Sequence, residues 1–374
     1  MIRIEPVKDQ VGLKQFVRFP AGLYRADPAW VPPLIFERLH FFSAKNPYFE
    51  HARWQCWLAY RGATPVGRIS AQIDELHLSR YNSQTGFFGL LEAEDSAEVF
   101  QALFQTAEAW LRAEGMTTVQ GPFNLSINQE CGLLIKGYED PPMVMMGHAR
   151  PYYAQHVEAS GYHKTQDLLA YSLGINFPLP SGVTTFLNKA KGSVRIRPLR
   201  RKHLQEELTI IKEIYEEAWA ENWGFLPFTD AEFAELGQQM KLLVEDDFVQ
   251  IAEIDGIPSA MLVAFPNLHE VIHDLDGRLW PWGWIKILWR LKVAYPKTGR
   301  VALMGVRRRF QSSPMGAVMA YGMIQAVRQA GLRKKIEHVE LSWILEDNKG
   351  MRHILESLGA ESYKTYRLYE KSLQ

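Results

Sequence analysis

Apolar residues recur along this chain in two periods, two residues in some stretches and about 3.6 in others, the marks of strands and helices. The first half reads as a strand ending at Val7, a helix over 9–24, strands over 54–60, 65–74 and 86–92, a helix over 96–114 and a strand from Val119. The second half reads as a strand ending at Leu199, helices over 202–221 and 230–245, and strands over 248–254 and 258–265. A strand over 301–306, a helix over 316–329, a strand over 338–345, a helix over 349–358 and a last strand over 363–369 follow. Hairpins mixed with helical crossovers predict an α/β chain of the α+β sandwich kind, with a central mixed sheet flanked by helices.

The halves also share letters. Ile2-Arg3-Ile4-Glu5-Pro6-Val7 parallels Val194-Arg195-Ile196-Arg197-Pro198-Leu199. Lys164-Thr165, Leu168 and Ser172-Leu173 parallel Lys364-Thr365, Leu368 and Ser372-Leu373, each set following a glycine at a helix stop, Gly161 and Gly359. Matches at both ends of similar halves predict a duplicated domain, with lobes over 1–175 and 193–374 and a linker over 176–192. The linker holds Pro178, Pro180, Ser181 and Gly182, residues that interrupt regular structure.

Composition narrows the classes. A chain of 374 residues exceeds one ordinary core and suits two. Lys plus Arg and Asp plus Glu number 42 each, and this neutral balance argues against a nucleic-acid partner. Two cysteines, Cys56 and Cys131, fit a reducing compartment. The opening MIRIEPVKDQ holds no apolar leader core. No window of about 20 residues is free of charge. A cytoplasmic chain is expected, reaching the inner membrane at most peripherally. No GxGxxG or GxxxxGK[ST] follows a strand, which counts against a doubly wound nucleotide fold. His269-Glu270-Val271-Ile272-His273 spells a zinc-hydrolase string. It lies between Pro266-Asn267 and Asp274-Leu275-Asp276-Gly277, too short a stretch for the helix that string needs, so no metal is expected.

Residues 301–359 carry the features of an anion site. The strand VALMGV runs into Arg307-Arg308-Arg309, then into Gln311-Ser312-Ser313-Pro314-Met315-Gly316 and a helix. A helix N-terminus presents unpaired N–H groups to an anion. The arginines are either phosphate contacts or a solvated strand end. Asn348 heads a helix that stops at Leu358-Gly359, as a ligand contact or a plain cap.

These features resemble the core of GNAT acyltransferases, whose loop [QR]-x-x-G-x-[GA] opens the helix that holds the pyrophosphate of coenzyme A. The loop here is stretched relative to that pattern. The resemblance implies that Val306, Arg307, Arg309, Gln311, Ser312, Ser313, Gly316, Ala317 and Asn348 hold acyl-CoA as co-substrate. Many relatives place a thiolate-protonating Tyr one turn before the closing glycine, where this chain has Leu355. The corresponding turn of the first lobe holds Glu92, Glu94 and Asp95, which would repel phosphate, so the second lobe is the expected coenzyme A site.

The segment GPFNLSINQECGLLIKGYEDPPMVMMGHARPYYAQHVEASGY, with AWAENWGFLP in the second lobe, resembles a bacterial tandem-GNAT family, YghO-like, in the broad group that includes bacterial ceramide synthases. The resemblance covers most of the chain. It implies two fused GNAT domains and transfer of an acyl group, long-chain, to a small-molecule or lipid amine such as a sphingoid-type amino alcohol. That chemistry needs a base for the amine, a donor for the oxyanion and a proton for the thiolate. Glu130 and His148 are the base candidates, and Tyr152 and Tyr153 the acid candidates. Asn124, Asn128, Glu221, Asn222, Trp223 and Trp284 are candidates for the amine pocket. Each has a structural alternative: a strand-start charge, a satisfied turn histidine, aromatic core packing. Cys131 has no clear partner base. Two other readings stay open, a degenerate GNAT that binds acyl-CoA or a partner without turnover, and aminoacyl transfer from tRNA.

Residues 279–295 read LWPWGWIKILWRLKVAY. Trp280, Trp282, Trp284 and Trp289 alternate with Lys286, Arg290 and Lys292, either as a helix packed on the sheet or as a peripheral membrane contact.

Overall fold

The computed structural model describes every residue except Ser181 and Lys191, with the backbone alone for Ala190 and Leu242. Ser181, counted with the linker, therefore lies outside the described residues. The chain forms two compact units. The first comprises Met1–Leu168, Ile272–Trp284 and Lys364–Gln374, and the second Leu169–Val271 and Ile285–Tyr363.

In the first unit the strands Ile2–Pro6, Ala52–Arg61, Thr64–Asp74 and Thr85–Ala93 pair antiparallel in that order. The helix Ala97–Ala113 then carries the chain over, and Thr118–Gly121 pairs parallel with Thr85–Ala93. This helix buries Val99, Phe100, Leu103, Phe104, Ala107 and Leu111, the three- and four-residue spacing of a single apolar stripe. The outer edge of Thr118–Gly121 is covered by the chain's C-terminal strand, from Tyr369↔Gly121 to Ser372↔Thr118.

The second unit repeats the plan. Val194–Pro198, Val249–Ile254, Ile257–Pro266 and Thr298–Val306 pair antiparallel in order. The helix Pro314–Arg333 crosses over, and His338–Leu345 pairs parallel with Thr298–Val306. The helix Asp230–Leu243 starts on a capping box between Thr229 and Glu232, which satisfies two of its otherwise unpaired N–H groups. Each unit is thus a mixed sheet flanked by helices, as the pattern of apolar residues predicts. The segment expected to be irregular contains the helix Val183–Ala190. Its sequence VTTFLNKA holds neither Gly nor Pro, so nothing local prevents two turns from closing after Gly182.

Candidate functional site

In the second unit the two parallel strands separate. Thr298–Val306 pairs with His338–Leu345 only from Thr298↔His338 to Val301↔Leu341. On its other side the same strand stays paired with Ile257–Pro266 as far as Val306↔Ala260. From Ala302 to Val306 one edge of a well-anchored strand therefore has no strand partner among the described residues. The side chains of Ala302, Leu303 and Met304 are half-exposed, as are Trp343 and Ile344 opposite. An apolar strand edge with unspent backbone groups is a place where an extended polar chain can add hydrogen bonds.

A buried ionic group closes the paired end of this wedge. Arg300 and Glu340 are register partners, and both are almost fully buried. Arg300 Nε donates to Ser342 Oγ at 2.8 Å, and Ser342 Oγ donates to Glu340 Oε1 at 2.6 Å. Tyr363 donates to the other Glu340 oxygen, and the Arg300 guanidinium lies 5.0 Å from the centre of the Trp343 ring. Buried charges persist only when paired and hydrogen-bonded, and this group is both.

The wedge opens toward the start of the helix Pro314–Arg333, since the strand's last residue, Val306, leads into it through the loop 307–313. Several groups expected to meet coenzyme A are already engaged. Arg307 donates to Glu217 at 2.6 Å, to Glu213 at 3.0 Å and to the Pro258 carbonyl at 2.9 Å. Arg308 pairs with Glu221, one of the expected pocket residues, whose side chain is otherwise exposed. Arg309 alone of the three has no carboxylate within 4.0 Å among the described residues; it lies exposed over Phe310. The arginine run is neither a phosphate cluster nor a merely solvated end: carboxylates on or just after the helix Leu204–Trp219 hold two of its members.

Gln311 donates to the Val306 carbonyl at 3.0 Å and so pins the loop to the strand. Ser312 takes a left-handed φ of 55°. Ser313 caps the helix, its Oγ accepting from the Gly316 N–H at 3.1 Å, while the Ala317 N–H goes to the Ser313 carbonyl at 3.1 Å. Pro314 has no N–H to offer. Gly316 is required by packing, since a Cβ there would stand 2.2 Å from the Phe310 carbonyl oxygen. An incoming phosphate would compete with the Ser313 hydroxyl for the Gly316 amide. Asn348 is a helix cap, its side chain accepting from the Met351 N–H at 3.1 Å. Leu355 is fully buried in the unit's core. Asn222 and Trp223 form the turn after the helix Leu204–Trp219, the Asn222 N–H bonding the Trp219 carbonyl at 2.7 Å.

The first unit parts its strands too, after Phe87↔Gln120, but fills the wedge. The small hairpin Phe123–Asn124 with Glu130–Cys131 lies against Thr85–Ala93. Gly89 permits this, because a Cβ there would stand 1.7 Å from the Phe123 carbonyl oxygen. Asn124 Oδ1 accepts from the Leu90 N–H at 2.7 Å, and Asn124 Nδ2 donates to Glu130 at 3.0 Å. Glu130 also pairs with Arg38. The Asn128 N–H bonds Ser126 Oγ at 3.2 Å. Asn124 and Glu130 thus serve the fold as a plug. Cys131 and Cys56 are buried and not joined in a disulfide, and burial pushes the Cys56 thiol up to about 12.

Two polar clusters in this unit were not legible in the sequence. Glu92, expected to repel phosphate from the first lobe's turn, instead turns inward. It accepts from Tyr24 at 2.6 Å and from Tyr153 at 2.8 Å, with Arg68 3.7 Å away. Burial raises its carboxyl above the usual range, and Arg68 and the tyrosines recover only part of that shift. Tyr153 in turn accepts from the Ala93 N–H at 3.0 Å, and Tyr152 donates to the Ala93 carbonyl at 2.7 Å. Burial pushes the Tyr152 phenol up to about 12 and raises Tyr153 well above the ordinary 10.

Asp27 is the second. Its Oδ2 stands 3.0 Å from His148 Nε2 and also accepts from Arg150 at 3.2 Å. His148 is buried with its Nδ1 unpartnered among the described residues. Burial lowers its pKa below the ordinary 6.5, and Asp27 offsets this only in part, so the ring is neutral near pH 7. A neutral imidazole anchored at one nitrogen and vacant at the other can accept a proton.

The aromatic segment is not core. Trp280, Trp282, Trp284 and Trp289 are all exposed, the last two on the helix Gly283–Lys292. A packed helix would have hidden them. Only the first four residues of the HEVIH string lie on the five-residue helix Leu268–Ile272, with His273 in the turn beyond it, and no group of three or more His, Cys, Asp or Glu that could hold a metal occurs among the described residues. No described helix is long and apolar enough to cross a membrane.

No protein-family model matches the chain. It is 49% identical over 362 residues to Protein YghO of Escherichia coli (strain K12), covering 96% of this chain and 93% of that one. It is 44% identical over 375 residues to a bacterial ceramide synthase of Caulobacter vibrioides, covering 100% and 98%. Among solved structures it resembles a tandem GNAT protein from the clavulanic acid biosynthesis pathway, with a TM-score of 0.59, 14% identity, and 100% and 99% of the two chains covered. A GCN5-related N-acetyltransferase from Sphaerobacter thermophilus gives a TM-score of 0.55 at 13% identity over 100% and 96%. These structural likenesses carry the fold, two fused GNAT domains, and the sequence identities carry the kinship: the chain belongs to the family of Protein YghO and the bacterial ceramide synthase.

Proposed function

We propose that this GNAT-fold transferase moves a long-chain acyl group from acyl-CoA to a primary amine of the sphingoid amino-alcohol type. The observation that carries the reading is the open strand edge from Ala302 to Val306, continuous through one loop with a helix N-terminus. An extended amide-bearing arm fits such an edge, and its phosphates fit the helix start. Val306, Arg307, Arg309, Gln311, Ser312, Ser313, Gly316, Ala317 and Asn348 are the acyl-CoA contacts in this reading, with Arg309 the one of its arginines that no carboxylate holds among the described residues. The kinship with a protein named a ceramide synthase supports a long-chain amine as acceptor. A cytoplasmic chain meeting the inner membrane peripherally through 279–295 suits such a substrate.

In the reaction the neutral amine attacks the thioester carbon, the C–N bond forms, the C–S bond breaks, and the ammonium proton leaves to a base. His148 is the base of choice, because Asp27 fixes one nitrogen and steadies the charge that arrives on the ring. Glu130 is already committed to Arg38 and Asn124. Tyr152, half-buried, is the remaining acid candidate for the thiolate, while Tyr153 is held on Glu92.

The self-capped helix and the buried Leu355 favour a second reading, acyl-CoA binding without turnover. One assay separates the two. Purified chain is incubated with palmitoyl-CoA and sphinganine, and free thiol and amide product are followed beside thermal melting. Equal release of thiol and amide supports the transferase. Stabilisation by palmitoyl-CoA without product supports the binding protein, and no response to any thioester overturns both.

A further inference from the structure

The helix Gly283–Lys292 is inside out. A helix on a water-soluble protein turns its apolar stripe inward and its polar residues outward. Here Ile287 and Leu291 face inward together with Arg290, whose guanidinium donates to the Val271 carbonyl at 2.6 Å. The opposite stripe, at helical spacing, is Ile285, Leu288, Trp289 and Lys292, and the first three are 40%, 46% and 55% exposed. Trp280 and Trp282 just before the helix are 78% and 67% exposed, and Val293 just after it 69%. Trp284, on the helix itself, is 44% exposed, and the chain's other seven tryptophans are all buried or half-buried. The exposure is therefore local to this segment and not a general looseness of packing.

Charge points to the occupant. Residues 277–297 hold five Lys and Arg and no Asp or Glu, and Lys286 and Lys292 are exposed beside the apolar stripe. Tryptophan sits best at the boundary between hydrocarbon and water, and lysines beside it meet acidic headgroups.

We infer that this outward face docks on an anionic lipid surface, and that the chain takes its long-chain substrate from that surface. The second clause rests on the acyltransferase reading. Binding combines shallow burial of the apolar stripe with attraction of the flanking lysines, so both must contribute.

The test is flotation of the full chain with vesicles of phosphatidylcholine alone and of phosphatidylcholine with phosphatidylglycerol. The chain floats with the mixed vesicles, less at high salt, and its tryptophan emission shifts to the blue. Leu288→Ser with Trp289→Ser lowers vesicle affinity about tenfold or more, and Lys286→Glu with Lys292→Glu removes the preference for phosphatidylglycerol. Both pairs keep the wild-type melting temperature, since all four side chains are exposed. Failure to float, or self-association that Leu288→Ser with Trp289→Ser abolishes, overturns the proposal. Turnover of a short-chain acyl-CoA in solution keeps the two claims apart. Turnover without flotation removes the docking surface and leaves the enzyme. Flotation without turnover leaves the surface and removes the claim about substrate.

Discussion

The two units follow one plan and part their parallel strands at nearly the same step, yet one wedge is filled and the other open. In the first unit the Phe123 carbonyl and the Asn124 side chain occupy the gap, and Asn124 gives the Leu90 N–H its acceptor. In the second unit the strand edge beyond Val301 stays largely half-exposed and meets no comparable hairpin among the described residues. On the proposed reading, one copy of the fold supplies its own internal ligand while the other keeps the place for a foreign one. The filled copy keeps polar groups of its own. It buries a carboxylate under two phenols at Glu92 and sets a histidine against Asp27, while the open copy buries an ion pair at the root of its wedge.

The largest effect is expected at His148. His148→Gln lowers kcat/KM by about 10²–10⁴-fold if its ring takes the amine proton. The pH dependence carries a sign. Because the folded pKa lies below 6.5, the folded chain binds fewer protons than the unfolded one just below pH 6.5. Stability therefore rises with pH through that window and is lost as pH falls, and His148→Gln flattens that dependence in urea titrations. Unchanged turnover in the variant removes His148 from the chemistry.

Next comes the root of the open wedge. Arg300→Leu leaves Glu340 buried without its cation and costs about 3–5 kcal/mol in denaturant unfolding. It also abolishes stabilisation by palmitoyl-CoA, whereas a neutral result would mean the pair does not set the wedge. In the filled copy, Gly89→Ala drives a Cβ into the Phe123 carbonyl and costs about 1–3 kcal/mol, with acyl-CoA affinity unchanged. Loss of affinity there would break the distinction between the two units. The smallest change is Ser313→Ala, which removes a cap and costs about 1 kcal/mol of stability. Because that cap competes for the Gly316 amide, acyl-CoA affinity holds or rises in the variant, as titration calorimetry would record.

The sequence carried the long elements well. The helix expected over 96–114 is Ala97–Ala113, and the one over 230–245 is Asp230–Leu243, because long amphipathic stripes declare themselves locally. The plugging hairpin was illegible, since its strands are two residues each and have no period to read. The site fared similarly. Ser313, Gly316 and Asn348 could be placed at helix starts from spacing alone. The partners that define their surroundings could not: Arg300 and Ser342 lie 42 residues apart, and Tyr24 and Glu92 lie 68 apart. A lone arginine inside the apolar strand TGRVALMGV was the one local hint of the buried pair.

Hydrogen exchange with and without palmitoyl-CoA tests the central distinction most directly. Backbone amides of residues 302–306 and 315–317 gain protection on adding palmitoyl-CoA, while those of 88–93, already enclosed by the hairpin, do not change. Protection confined to 88–93, or none in either strand, would contradict the assignment of acyl-CoA to the open wedge of the second unit.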